Sequence, residues 1–363
     1  MRLIARLFAL LALPLAVAAG TQPSQINIVE VADLSGPNSD TGKDFVTGAR
    51  VYFDQLNARG GINGRHVNLI VEDDKGDPAT TVALSKQLVA QNHPLALFGY
   101  FGEDNVRAVT ADPSLNNLPL VAPYVGIDMP QGSNVYYLRA GMTSEVKKIA
   151  QIAQSAGLNK IAIFTGSDAL GRAARNEVPK LLDNMKLSVV IQPNTGDPDK
   201  AAELVAKQNP QAVILAAPTL DSAQFVKAYQ SLRSGVQFFA MSWVNPQTVR
   251  EFLGPEGIRW VGVSTVVPSP YNATTPIARE FTAALSKFRD EPPTFASMEG
   301  YMSARLLAEN LRSKSDRDAS SLGRSLGEYS ADWGGVQVSL RNGRRGLQSV
   351  DLSVFSQGGG LLN

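Results

Sequence analysis

One stretch narrows the possible folds more than any other. From Ile26 to Asp74 the chain runs through an apolar segment (Ile26 to Ala32), a Gly/Pro/Asn/Asp loop (Leu34 to Gly42), a helical segment through Leu56, a Gly60-Gly61 stop and a second apolar segment (Val67 to Val71). That order is strand, loop, helix, strand, and a connection of this length favours parallel pairing with a right-handed crossover. The loop therefore opens at the carboxyl end of a parallel sheet, which is where open α/β sheets take their ligands. Ser35, Gly36 and the residues up to Thr41 are placed to face a ligand there, although a Gly-Pro turn needs the same residues for its shape. A phosphate-binding loop is excluded. Five residues separate Gly36 from Gly42, and Asp44 follows Lys43 where such a loop requires Ser or Thr.

The alternation continues down the chain. Asp77-Pro78 supplies a cap and a first-turn proline for a helix, followed by the strand Leu95 to Phe98, a helix near Asp104 and a short strand Leu120 to Ala122. A second series starts at Thr143, with strands at Lys160 to Phe164, Leu187 to Ile191, Ala212 to Ala216 and Gln237 to Ala240, and helices between them. The tail departs from this pattern: a strand Val261 to Val267, helices after Pro276 and Pro293 and at Ser320 to Glu328, then strands Gly335 to Leu340 and Val350 to Phe355. Its helices lack strands of their own and are expected to pack back on the first layer. The fold class is α/β, with two Rossmann-like lobes, parallel central sheets and a multi-strand hinge.

Length supports two lobes, since 363 residues exceed the roughly 250–300 at which a single core stops growing. Residues 1–20 read as a secretory signal peptide, with Arg2 and Arg6 before an apolar run broken by Pro14 and a small-residue pattern Ala16-Val-Ala18. The chain has no cysteine, which excludes disulfides, thiolate metal sites, cysteine nucleophiles and an acceptor for a lipid anchor. Lys plus Arg (34) balances Asp plus Glu (33), and no basic stripe marks a nucleic-acid or membrane partner. A soluble, monomeric periplasmic protein with a small-molecule partner is expected. His66 and His93 are the only histidines and share no ligand spacing, so neither a metal site nor a histidine acid/base pair is expected, and no cofactor motif occurs.

Particular residues then carry a resemblance. They are Asp33-Leu-Ser-Gly-Pro37, Asn57-Ala-Arg-Gly-Gly-Ile-Asn-Gly64, Glu72-Asp-Asp with Asp77-Pro78, Leu97-Phe-Gly-Tyr100, Val121-Ala-Pro123, Leu138-Arg139 and Glu299-Gly-Tyr-Met-Ser-Ala-Arg305. In this order and spacing the chain resembles the leucine/isoleucine/valine-binding type of periplasmic solute-binding protein, the type I periplasmic binding fold that feeds ABC transporters. The resemblance implies a first lobe of residues 26–139 with 267–330 and a second of 140–266 with 331–363. It further implies three crossovers near Arg139, Val267 and Ser330, a ligand enclosed by hinge closure, and permease subunits as partners.

Carried over position by position, the resemblance lines the first-lobe pocket with the loop Tyr100 to Asn105, Gly102 and Glu103 within it, and with Pro123 to Gly126, Tyr124 and Gly126 among them, beside Ser35 from the loop after the first strand. Ser167, Asp168, Pro218, Thr219 and Trp243 face them from the second. The amino-acid-binding pattern is not retained. Gly102 or Glu103 stands where relatives hold the ligand carboxylate with serine, Gly126 replaces their threonine, their acid for the ammonium falls near Trp243, and their covering tyrosine falls near Leu170. A free amino acid needs donors for its carboxylate and an acid for its ammonium. Trp243, Tyr100 and Tyr124 suit an apolar or aromatic body instead.

Each candidate also has a plain structural reading. Asp104 can cap the helix that begins there with Glu103 solvated, Trp243 can be core, and Tyr100 points either to the cleft or into the sheet's flank. The function expected is a receptor for an ABC importer, with a ligand sensor for a membrane signalling protein as the alternative. An enzyme is disfavoured, because no activated nucleophile, acid/base pair or nucleotide motif is present.

Overall fold

The computed structural model describes residues 25–129, 134–191, 196–312, 318–341, 345–356 and 361–362, and the expected leader at 1–20 lies outside them. The first half builds β1 (Ile26–Ala32), α1 (Ser39–Ala58), β2 (Val67–Asp73), α2 (Pro78–Asn92), β3 (Leu97–Phe98), α3 (Glu103–Ala111), β4 (Leu120–Val121) and β5 (Val135–Tyr136). The five strands form one sheet in the order β2-β1-β3-β4-β5, parallel throughout. Asp77 caps α2 as its sequence position indicates, accepting from Thr80 N at 2.8 Å. β5 carries no strand signal long enough to read in the sequence.

The second series follows with α4 (Met142–Ser155), β6 (Lys160–Thr165), α5 (Ala169–Asn184), β7 (Ser188–Ile191), α6 (Pro198–Lys207), β8 (Ala212–Ala216), α7 (Thr219–Leu232), β9 (Gln237–Ala240), α8 (Pro246–Gly257) and β10 (Val261–Thr265). The chain ends in α9 (Pro276–Phe288), α10 (Phe295–Arg312), α11 (Ala319–Gly327), β11 (Ser330–Asp332), β12 (Gln337–Ser339), β13 (Asp351–Phe355) and β14 (Leu361–Leu362). The second sheet has the order β14-β13-β10-β9-β8-β6-β7. Its inner strands are parallel, and the two late strands add antiparallel at one edge.

The late helices pack on the first sheet, as their lack of strands requires. Ile277, Phe281, Met298 and Tyr301 share one core with Phe45, Phe53 and Phe98. The boundary expected at residue 330 falls too early, because the hairpin β11–β12 buries Trp333 and Val338 in that same core. The chain leaves it later: Gly346 N and Leu347 N donate to Tyr137 O and Leu138 O, and β13 then joins the second sheet. A small apolar cluster marks the waist. Ala140, Val266 and Val350 pack together, one from each of the three crossing segments.

Glu30 is anomalous within the first core. It is fully buried on β1, and neither carboxyl oxygen has a hydrogen-bond partner. Burial raises its pKa well above the ordinary carboxylate range, with Arg50 opposing weakly. The folded chain therefore keeps a proton that the unfolded chain releases above roughly pH 4.3. Stability is thus fully present below that pH and falls, by up to about 1.4 kcal/mol per pH unit, as pH climbs towards the folded value. We expect Glu30→Gln to be more stable than the parent at pH 8, with the gap closing by pH 4.5. Urea denaturation across that range measures it, and a gap that does not change with pH would count against a protonated Glu30.

Candidate functional site

The carboxyl ends of the parallel strands in both sheets border one cleft. From the first sheet come Asp33 after β1, Phe101 to Asn105 after β3, Tyr124 and Gly126 after β4, and Arg139 after β5. The second sheet supplies Asp168 to Leu170 after β6, Pro218 after β8 and Trp243 after β9. The cavity is about 140 Å³. At roughly 10–15 Å³ per water centre, that is room for on the order of ten waters, the scale of a small metabolite.

Its floor is a stack of flat groups. The Phe101 and Tyr124 rings lie parallel with centroids 5.0 Å apart, and the Arg139 guanidinium sits 4.2 Å from the Tyr124 centroid. Arg139 is only 1% exposed. Its Nη2 donates to Ser242 Oγ, and its Nε lies 3.7 Å from Glu299 Oε1. Glu145 accepts from both the backbone N and the hydroxyl of Ser242, at 2.8 and 2.9 Å. One buried arginine therefore serves two buried carboxylates, and burial still pushes Glu299 up to about 6. The Arg139 guanidinium remains charged, because these acids outweigh its own burial.

Glu103 opens α3 and is 7% exposed. Its Oε1 accepts from Gly126 N at 2.8 Å, while burial pushes its carboxyl up to about 7. Gly102, before it, has φ of 89°, a left-handed turn that favours glycine, and no side chain caps the helix. Asp104 is therefore inside α3 and not at its cap. It reaches instead across the cleft mouth to Arg172 on α5, at 3.1 Å, so the two lobes touch through an exposed ion pair. Gly126 is small for a reason. A Cβ there would lie 3.2 Å from Leu170 Cδ1 and 3.3 Å from Trp243 Cζ3, so a threonine would press on both second-lobe side chains.

Of the residues expected at the ligand, Gly102, Glu103, Tyr124, Gly126, Asp168, Pro218 and Trp243 meet at this cleft. Four do not. Ser35 is exposed and spends its hydroxyl on Asp73 Oδ2 at 2.6 Å, in the turn that precedes α1. Tyr100 lies wholly in the core with its hydroxyl on Ser85 at 2.8 Å, so the sheet-flank reading of this residue holds. Ser167 is exposed and lies off the cleft lining, its carbonyl accepting from Arg172. Thr219 accepts from Asn245 N at 3.0 Å, bracing α7 against the turn before α8. Asp33, Asn38, Gly76 and Arg139 also line the cleft. Asn38 belongs to the loop up to Thr41 that the sequence turns towards a ligand, whereas nothing in the sequence singles out Asp33, Gly76 or Arg139 as lining residues. Asp33 is held in the turn by accepting from Gly36 N and Asn38 N, and Arg139 is marked in the sequence as part of a crossover, not as a cleft residue.

The model of the periplasmic binding protein family matches residues 25–342. The chain belongs to that family. Among curated relatives, this periplasmic binding protein is 24% identical over 289 residues to the Leu/Ile/Val-binding protein homolog 6 of Brucella abortus, covering 76% of this chain and 73% of the relative. It is 24% identical over 163 residues to an amino acid binding protein of Pseudomonas aeruginosa, and that match spans only 43% of the relative's length. A substrate-binding periplasmic protein from Ralstonia solanacearum superposes with a TM-score of 0.85 at 28% identity, covering 93% of this chain and 99% of that one. A branched-chain amino acid transporter substrate-binding protein from Streptococcus pneumoniae, in complex with isoleucine, shares the fold at a TM-score of 0.81 and 16% identity, covering 94% and 98%. The family and fold are those of non-enzymatic substrate-binding proteins, and no helix among the described residues is long and apolar enough to cross a membrane.

In this periplasmic binding protein Trp243 touches side chains of three separate apolar clusters and faces the cleft. We expect Trp243→Ala to weaken binding of a captured small molecule by about 1–3 kcal/mol, the cost of losing an aromatic wall. Isothermal titration checks this, and unchanged affinity in a destabilised variant would return Trp243 to a packing role.

Proposed function

We propose that this protein is the extracytoplasmic receptor of an ABC importer, a periplasmic monomer that encloses one small molecule between its lobes. The observation that carries the reading is the cleft itself. It is bordered by strand ends of both sheets and lies over a waist of three crossing segments, so hinge bending would open and close it around its contents. Only the closed form presents both lobes as one surface, and permease subunits would read that surface. The residues we propose to contact the ligand are Glu103, Tyr124, Asp168 and Trp243, with Phe101 and Arg139 beneath. Tyr124, Phe101 and Trp243 favour a ligand with an apolar or aromatic body, and the relative from Streptococcus pneumoniae, which holds isoleucine, puts amino acids among the compounds to test.

A thermal-shift screen over amino acids, amides, amines, aromatic acids and polyols tests capture, since a ligand bound only to the folded state raises its midpoint. Solution scattering of each hit tests closure. No hit across the screen, or a hit that leaves the particle's dimensions unchanged, would overturn the reading.

A further inference from the structure

The side chains around the cleft carry a charge pattern that bears on the ligand's chemistry, and this step rests on the receptor reading above. Among the described residues, the lining acids are Asp33, Glu103, Asp104 and Asp168, and Arg139 is the single lining base. Arg139 is already committed, with Glu299 at 3.7 Å and Ser242 linking it to Glu145. Asp104 is likewise matched, by Arg172.

Helix N-termini at strand ends ordinarily draw anions, through their unpaired N–H groups and the positive end of the dipole. Here the chain places its own carboxylate at the starts of α1, α3 and α5, and α7, which opens at Pro218 without a side-chain cap, carries Asp221 in its first turn. Asp33 accepts from Gly36 N and Asn38 N ahead of α1, at 2.6 and 2.9 Å. Asp168 accepts from Gly171 N at the start of α5, at 2.9 Å. Glu103 is the first residue of α3 and turns its carboxyl to Gly126 N. A ligand carboxylate entering this cleft would meet resident carboxylates, with no uncommitted lining cation to offset the cost of burying it.

We propose that the cleft selects a ligand whose polar head is an N–H donor, an ammonium or a carboxamide, and which carries no carboxylate. Glu103 accepts from that head on the first lobe and Asp168 on the second, and the three aromatic rings surround its apolar body. Because the two acids sit on opposite lobes, a head that reaches both couples recognition to closure.

The experiment is isothermal titration of the mature chain with a matched set, 2-phenylethylamine, phenylacetamide, phenylalanine and phenylacetate, extended to the equivalent set built on any hit of the metabolite screen. The amine or the amide of a set is expected to bind at least about tenfold tighter than its carboxylate-bearing members, the scale of one charge-assisted hydrogen bond against an unpaired charge. Glu103→Gln should weaken the amine by about tenfold while sparing the amide. Asp168→Asn, which keeps the helix cap, gives a second variant should the first fold poorly. Equal or tighter binding of the amino acid or the acid would overturn the proposed head group and leave the receptor reading standing. Failure of every compound in the set and the screen would remove both.

Discussion

Replacing Arg139 by methionine is expected to cost about 3–5 kcal/mol of folding stability, the scale found when one member of a buried ionic network is removed. The loss does not come from the arginine's own contacts alone. Glu145 is 0% exposed and Glu299 3%, so the variant leaves two carboxyls inside the protein without the arginine that joins them. Both are already raised by burial, and Arg139 is the main charge that holds them down, with Arg345 adding a smaller pull on Glu299. Without it they would rise further and take up protons on folding. Groups with raised folded values lend stability below their unfolded values and lose it as pH climbs, so the deficit should be small near pH 4.5 and largest above pH 7. Urea denaturation of parent and variant at both ends of that range decides the matter. A deficit under about 1 kcal/mol, or one indifferent to pH, would mean that the two carboxyls find other partners. Lysine should rescue little, because it cannot lie flat on Tyr124 and reach Ser242 together.

The position of this network shows what it connects. Arg139 is on the first crossing segment, Glu299 on α10 of the first core, and Ser242 and Glu145 on the second-sheet side. The ionic group therefore ties both lobes to the waist directly beneath the cleft. A hinge needs a fixed pivot, and a buried ion pair with directional hydrogen bonds defines one better than apolar side chains, which slide.

Much of this was legible from residues close together in sequence. The strand, turn and cap signals around Ile26, Asp77 and Lys160 are local, and the elements there appear where the chain indicates. The short strands β3 and β4 and the late β12 fall within stretches the sequence marks, but β5 leaves too short a pattern to read, and β11 is placed by tertiary contacts, Trp333 Nε1 donating to Glu309 and Tyr329. The cleft residues divide in the same way. Tyr124 and Trp243 follow strand ends directly and so fall at the carboxyl edge of their sheets. Tyr100 also follows a strand, yet pleating turns it into the core against Ser85, a difference that alternation over two residues cannot settle. Arg139 draws its role from Glu299, Ser242 and Glu145, which lie far away in the chain. No local pattern encodes that convergence.

The second large effect concerns how the tail is held to the first lobe, and with it the three-segment waist. Gly300→Ala is expected to destabilise by about 3 kcal/mol or more, although alanine favours a helix over glycine by about 1 kcal/mol. Sterics decide the sign. A Cβ at Gly300 on α10 would lie 2.0 Å from Phe45 O on α1, and one at Gly48 on α1 would lie 1.8 Å from Ser297 O on α10. Both obstacles are backbone, so neither can rotate away and the two helices must part along their length. Gly327, at the end of α11 with nothing within 4 Å of its would-be Cβ, is the control, where Ala should be neutral or mildly stabilising. Since either substitution alone forces the helices apart, Gly48→Ala with Gly300→Ala should cost clearly less than the sum of the two single changes. Denaturation of the three variants reads this directly. Strict additivity, or a gain of stability at Gly300 matching that at Gly327, would mean that α1 and α10 are not locked backbone to backbone. The tail would then owe its place on the first lobe to side-chain packing alone.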